Sequence, residues 1–158
     1  MARLDQSPKI VSIVDLIHDG RGVARWPEGH AQAGKTVFVS GALPGETVSV
    51  QQTARSRHFD EAKTLEVIAA SSDRVTPRCP HFGTCGGCVL QHLAEDRQIE
   101  AKQRTLLDNL QRIGHVVPGS VLPPLRGDSW GYRRKGRFSV RRVEKKDKTL
   151  VGFREQDP

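Results

Sequence analysis

Between Ile10 and Val67 the chain repeatedly starts a short apolar run and then stops it with a turn signal, and this rhythm restricts the fold more than any other feature. Runs of about five to eight residues bounded by Gly, Pro, Asp and Ser clusters read as strands of a small all-β unit. We expect five strands, over Ile10–Ile17, Gly22–Trp26, Thr36–Ser40, Thr47–Gln52 and Ala62–Ile68. The turns between them carry the right chemistry. Asp19-Gly20 offers a positive φ, and Gly41-Ala42-Leu43-Pro44-Gly45 sets Pro before Gly as a type II turn requires. Five such strands make a small barrel or sandwich. With aromatics at only 5%, its core must be built from Val, Ile and Leu.

The expected solvent face of this unit carries Arg21, Arg25, Lys35, Arg55, Arg57 and His58, with Trp26, Phe38 and Phe59 interleaved. Aromatic rings among cations suit stacking on nucleic-acid bases. Phe38, however, sits between Val37 and Val39 and is expected in the core.

Beyond this unit, Ser-Ser-Asp and Thr-Pro mark residues 71–78 as a short linker. A helix follows the cysteines, over Ala94–Ile113: Ile99, Leu106, Leu110 and Ile113 form one stripe with Leu107 beside it. Glu95 and Asp96 in its first turn, Arg112 in its last and Gly114 as the C′ residue agree with the dipole and capping rules. Pro118, Pro123 and Pro124 then exclude helix. The alternation of Tyr132, Phe138 and Val140 with arginines reads as a strand with a basic face, its partner being Thr149–Phe153 across a turn at Glu144–Lys148. The resulting fold class is mainly β with some α, divided as residues 1–70, a linker and cysteine loop over 71–93, and 94–158. No repeat is present, and no apolar stripe is left over to demand a partner, so a monomer is expected.

The net charge of +7 is not spread evenly. Residues 1–70 hold eight basic and eight acidic side chains, whereas residues 126–148 hold ten basic against three acidic, an excess equal to that of the whole chain. A concentrated basic strip favours a polyanion, because each phosphate neutralised releases condensed counterions. Its bland alternative is a solvated face. No run approaches the roughly 20 apolar residues of a membrane span, and no secretory segment is visible, which points to the cytoplasm.

All three cysteines fall within ten residues as Cys79-x5-Cys85-x2-Cys88. In a chain read as cytoplasmic this clustering argues for a metal centre over a disulfide framework, with three inert thiols as the bland alternative. Gly86 and Gly87 let the backbone turn so that two thiolates face one point. Soft ligands leave zinc or iron-sulfur, and spacing does not choose between them. The count is odd: a four-thiolate site needs one more cysteine, while His81 or His92 would complete a zinc site of three cysteines and one histidine.

Together these residues resemble the TRAM-containing RNA uracil-C5 methyltransferases that carry an iron-sulfur cluster, of the 23S rRNA 5-methyluridine type. Asp19-Gly20-Arg21-Gly22-Val23-Ala24 and Val37–Glu46 resemble the TRAM domain, an OB-like RNA-binding barrel. Cys79, Cys85, Gly86, Gly87 and Cys88, followed by Gln91-His92-Leu93, are similar to the cluster motif. Tyr132-Arg133-Arg134-Lys135 through Phe138, and Val151-Gly152-Phe153-Arg154-Glu155, resemble the start of the central RNA-binding domain, of α+β build.

The resemblance implies a 4Fe-4S cluster on Cys79, Cys85 and Cys88, with a fourth ligand expected beyond Pro158. It implies an N-terminal fragment without the S-adenosylmethionine site, and indeed no glycine-rich strand-turn-helix is present. The family reaction needs a cysteine that adds to C6 of uracil and a carboxylate that removes the C5 proton. With its cysteines committed to the cluster, this chain is expected to be catalytically silent. Its remaining task would be RNA recognition, with 23S rRNA the expected partner. Arg133, Arg134, Lys135 and Arg137 are the first candidates for phosphate contacts, and Arg25, Arg55 and Arg57 the second. The alternatives are a stand-alone zinc-stabilised RNA-binding module and a tRNA uracil-C5 methyltransferase.

Overall fold

The structure is a computed structural model that describes residues 4–156. Six strands, β1 (Lys9–Ser12), β2 (Asp15–Leu16), β3 (Gly22–Arg25), β4 (Thr36–Ser40), β5 (Thr47–Arg55) and β6 (Phe59–Ala69), form one sheet in the order β1-β5-β6-β4-β3-β2. The expected first strand is therefore two. Its first half pairs with β5 and its second half with β3, so one stretch of chain supplies both edges of the sheet and curls it shut. The switch falls at Ile13 and Val14: the Ile13 N–H donates to the Glu46 carbonyl at 2.9 Å, and the Val14 N–H to the Val23 carbonyl at 2.8 Å. Closure of this kind removes exposed sheet edges. Gly22 sits at the seam, where a Cβ would lie 2.7 Å from the Ile13 side chain and 3.0 Å from the Ala42 carbonyl oxygen.

The interior is filled by Val11, Ile13, Ala24, Trp26, Val37, Val39, Ala42, Val48, Val50 and Ala62. Side chains alternate across a strand, so the burial of Val37 and Val39 turns Phe38 outward. This overturns the expectation of a core Phe38. Trp26 is corrected in the opposite sense: it is 2% exposed, and its indole N–H donates to Asp60 at 2.8 Å. Lys35 likewise leaves the open surface, donating to the buried Asp60 carboxylate at 2.5 Å and to the Ser56 carbonyl at 2.6 Å. A buried carboxylate is tolerable only when paired and hydrogen-bonded, and here both oxygens are used.

Residues 71–74 are held to both neighbours. Glu46, itself fully buried, accepts from the Arg74 guanidinium at 2.5 and 2.8 Å, from the Leu43 N–H at 2.8 Å and from the Ser71 N–H at 3.3 Å. Burial alone would push the Glu46 pKa up. The Arg74 guanidinium and the two backbone donors outweigh it and hold the carboxyl below its ordinary value. Arg74 also pairs with Leu93 as an isolated bridge, and the Ala94 N–H donates to the Asp73 carbonyl at 2.8 Å, so the barrel, this stretch and the start of the helix are stitched together.

Helix α1 (Glu95–Arg112) falls where the sequence places it, but its cap differs. The residue with positive φ is His115, at 52°, and not Gly114. A Cβ on Gly114 would come within 2.9 Å of the Leu110 carbonyl oxygen, so glycine serves close approach there. No residue of α1 is buried, and Leu106 and Ile113 remain 58% and 76% exposed, so an apolar stripe is left over after all. The expected basic strand from Tyr132 also shrinks. Only β7 (Ser139–Val143) pairs, with β8 (Lys148–Gly152), across a 3-10 turn at Glu144–Lys146 closed by Asp147 with φ 48°. No helix of the described residues is long and apolar enough to cross a membrane.

Candidate cysteine centre and nucleic-acid interface

Residues 79–88 form a series of tight turns, with the Phe82 N–H on the Cys79 carbonyl at 3.1 Å and the Cys85 N–H on the His81 carbonyl at 2.9 Å. The far end of the chain returns to this loop. Cys85 pairs antiparallel with Glu155, the Gly86 N–H donates to the Arg154 carbonyl at 2.8 Å, and the Gln156 N–H donates to the Thr84 carbonyl at 2.9 Å. Both glycines serve close approach: a Cβ on Gly86 would lie 2.9 Å from the Arg154 carbonyl oxygen, and one on Gly87 would lie 3.0 Å from the Phe153 ring, which would have to shift.

Cys79, Cys85 and Cys88 are all half-buried, unoxidised, and line one open cavity of about 980 Å³. Two of the sulfurs accept N–H donors: the Gly87 N–H reaches Cys85 Sγ at 3.4 Å, and the Gln91 side-chain amide reaches Cys88 Sγ at 2.8 Å. Gln91 also accepts from the Cys79 N–H at 3.1 Å, so one side chain spans two of the three cysteine positions. Among the described residues no three His, Cys, Asp or Glu side chains converge at metal-holding distance. The donor chemistry nonetheless fits a soft metal centre, since three thiols share one cavity and N–H donors near sulfur stabilise thiolate charge.

His81 lines this cavity with the cysteines, whereas His92 does not. His92 is 1% exposed, packs 5.1 Å from the Phe82 ring, and has no hydrogen-bond partner on either ring nitrogen among the described residues. Burial, with Arg74 adding, pushes its pKa down to about 4. It is a neutral residue packed between the barrel and the loop.

The same cavity is lined by Trp130 through Gly136, including Arg133, Arg134 and Lys135. Irregular backbone, not a strand, thus presents the three cations. None of them forms an ion pair among the described residues, while Arg126 and Arg142 of the same strip are engaged by Asp96 and Asp147. Arg133 lies 5.6 Å from the Tyr132 ring centre, and the Arg78 guanidinium lies 4.8 Å over Trp130. Arg137 is exposed but lies outside the cavity lining. Arg25, Arg55 and Arg57 are exposed on the barrel, apart from this cavity, with Arg25 donating to the Gly34 carbonyl at 2.8 Å. Sequence reasoning passed over the Gln91 bridge and the Glu46–Arg74 pair. A buried acid seldom leaves a sequence signal, but Gln91 lies three residues after Cys88, within reach of its sulfur.

Residues 10–63 match the TRAM domain family. Along 99% of its length the chain is 74% identical to a 23S rRNA (uracil(1939)-C(5))-methyltransferase of Stenotrophomonas maltophilia (strain R551-3), covering 35% of that protein. It is 70% identical, again along 99% of its length, to the protein of that name from Xanthomonas euvesicatoria pv. vesicatoria (strain 85-10), covering 34% of it. The chain spans about a third of the length of the curated relatives it matches.

Proposed function

We propose, from the premise that this chain belongs with the N-terminal third of the TRAM-containing 23S rRNA uracil-C5 methyltransferases, that it is the part of such an enzyme that grips RNA and holds a metal cluster. The reading extends to an S-adenosylmethionine-dependent whole protein acting on 23S rRNA in the cytoplasm. Methyl transfer would use groups outside the 158 residues, because the chain offers no glycine-rich donor site and its three cysteines share one cavity.

The observation that carries the reading is that Arg133, Arg134 and Lys135 line a single cavity together with Cys79, Cys85 and Cys88. Cations without carboxylate partners, beside exposed Trp130 and Tyr132, suit a polyanion that also carries stackable bases. A uracil in folded RNA must leave its stack before C6 is reached, so firm hold of the flanking backbone is a prerequisite. Arginine suits that hold through its two-pronged contact with phosphate. Cys79, Cys85 and Cys88 would hold a 4Fe-4S cluster, with the fourth ligand proposed beyond Pro158. Its contribution when bound would be structural, joining the turn loop and the chain around Phe153 at one point. Gln91 and the Gly87 N–H would donate to the ligand sulfurs.

Salt titration of RNA binding tests the interface. Each lost phosphate contact lowers the single-strand slope by about 0.7, so R133A and R134A should each show a shallower dependence; unchanged slopes would remove these residues from the interface. His81 beside the three cysteines favours one second reading, a zinc site of three cysteines and a histidine. Acid-labile sulfide with visible absorbance supports the cluster, and stoichiometric zinc without sulfide supports the second reading.

A further inference from the structure

We propose that the outer face of β3, β4 and β6 is a stacking platform for unpaired RNA bases, with Phe38 and Phe59 meeting the bases and Arg25 and Lys63 the adjoining phosphates. The proposal deepens the RNA-binding reading and rests on it.

Strand register places these residues together. Arg25 pairs with Thr36 and Thr36 with Phe59, while Val23 pairs with Phe38 and Phe38 with Glu61. Because Ala24, Val37, Val39, Asp60 and Ala62 all point into the barrel, their neighbours Arg25, Phe38, Phe59 and Lys63 point out. The two phenylalanine rings meet with centres 5.1 Å apart at 58°, and Phe59 is 36% exposed. Two large rings on an open strand face contribute nothing to the core. The lean aromatic content of the chain makes their placement outside it more telling.

Charge on this face favours an anion. The guanidinium of Arg21 lies 5.2 Å from the centre of the Phe38 ring and is fixed there by Asp19, at 2.7 and 2.9 Å, and by Glu61 at 2.9 Å. One guanidinium offsets one of the two carboxylates, so these three groups sum to −1, and Arg25 with Lys63 brings the five to +1. Arg25 donates only to a backbone carbonyl, and Lys63 forms no ion pair among the described residues, which leaves two cations beside the rings without carboxylate partners. From this face a trough of about 630 Å³, lined by Arg21, Glu61 and Lys63, runs to Phe82 and Val89 of the cysteine loop. A strand lying on the rings therefore has a continuous path toward the cysteine side of the molecule. In a duplex the bases are stacked on one another, so a ring pair of this kind selects single-stranded RNA.

The test uses the 158-residue chain with a fluorescein-labelled oligouridylate and with the duplex that this strand forms with oligoadenylate. F38L/F59L should weaken single-strand binding by about tenfold or more, leave the salt slope unchanged, and alter duplex binding less than about twofold. F38Y/F59Y, which keeps both rings, should retain single-strand affinity. Circular dichroism melts identify any variant that fails to fold, and the tyrosine pair then decides by whether ring retention preserves preference for the single strand. Equal losses on both RNAs, or none on the single strand, overturn the platform while leaving binding through Arg133 and Arg134 intact. If the unsubstituted chain binds neither RNA, the platform and the RNA-binding reading fall together.

Discussion

The barrel and the chain that follows α1 solve the problem of staying folded in opposite ways. Eleven of the twelve buried hydrophobic residues lie between Val11 and Ala62, the twelfth is Leu93, and beyond it no described residue is buried. The barrel is held by apolar contact around a closed sheet. The later segment is held by hydrogen bonds of its far end to the cysteine loop, by polar contacts of Arg126 and Ser129 with the first turn of α1, and by a two-stranded ribbon whose Val140, Leu150 and Val151 stay open to solvent. A two-stranded ribbon alone is marginal in water. The core and the densest run of cations thus fall on different stretches: the basic segment can present cations because it is not asked to supply a core.

The largest effect should come from Trp26→Ala. It empties the centre of the barrel and orphans one oxygen of the buried Asp60, for a loss of about 4 kcal/mol in urea denaturation followed by far-ultraviolet circular dichroism. A loss below about 1 kcal/mol would mean that the barrel does not dominate stability.

Next comes pH, acting where the barrel meets the loop. His92 stays neutral down to about pH 4 in the fold, through burial and then the nearby Arg74 charge, whereas the unfolded chain takes up its proton from the ordinary value of 6.5 downward. Stability from this group is therefore complete above 6.5 and falls as the pH drops from 6.5 toward 4, at roughly 1.4 kcal/mol per unit. A melting temperature that does not decline across that window would contradict the burial of His92, and His92→Gln should flatten the decline.

The smallest effect belongs to the other side of the comparison. Leu125→Ala, at a residue fully exposed in the proline-rich stretch, should change stability by less than about 0.5 kcal/mol. A larger loss would reveal an apolar contact at Leu125 that its full exposure does not show.

The pattern of what sequence could foresee follows the same division. In the barrel, the Pro44–Gly45 turn and the runs at Gly22–Trp26 and Thr36–Ser40 are local signals, and β3 and β4 lie where those signals place them, β3 ending one residue earlier at Arg25. What failed there was phase and the division of the first expected strand into two. The composition of Val-Phe-Val says nothing about which alternate side chain faces inward, and the division of Ile10–Ile17 depends on partners 35 to 41 residues away along β1 and 6 to 8 residues away along β2. Trp26 is buried because Asp60, distant in sequence, supplies its acceptor. At the candidate site, the cysteine spacing and the two glycines marked the loop, and the run Arg133-Arg134-Lys135 marked the cations. That the two face one cavity depends on the return of residues 154–156, which no local pattern announces.

That return has a consequence for the order in which the molecule is made. The pairing of Gln156 with Cys88 joins positions 68 residues apart, whereas every ladder of the barrel is complete once Ala69 has been synthesised. Closing long loops is slow, and domains fold as units from the N-terminus during synthesis. The barrel can therefore be formed while the cysteine loop still lacks residues 154–156 that brace it, and in that interval the thiols have only the local donors of Gly87 and Gln91. Pulse-labelled hydrogen exchange on stalled nascent chains would show protection at Val37 and Val39 before any at Gly86; simultaneous protection would refute this order.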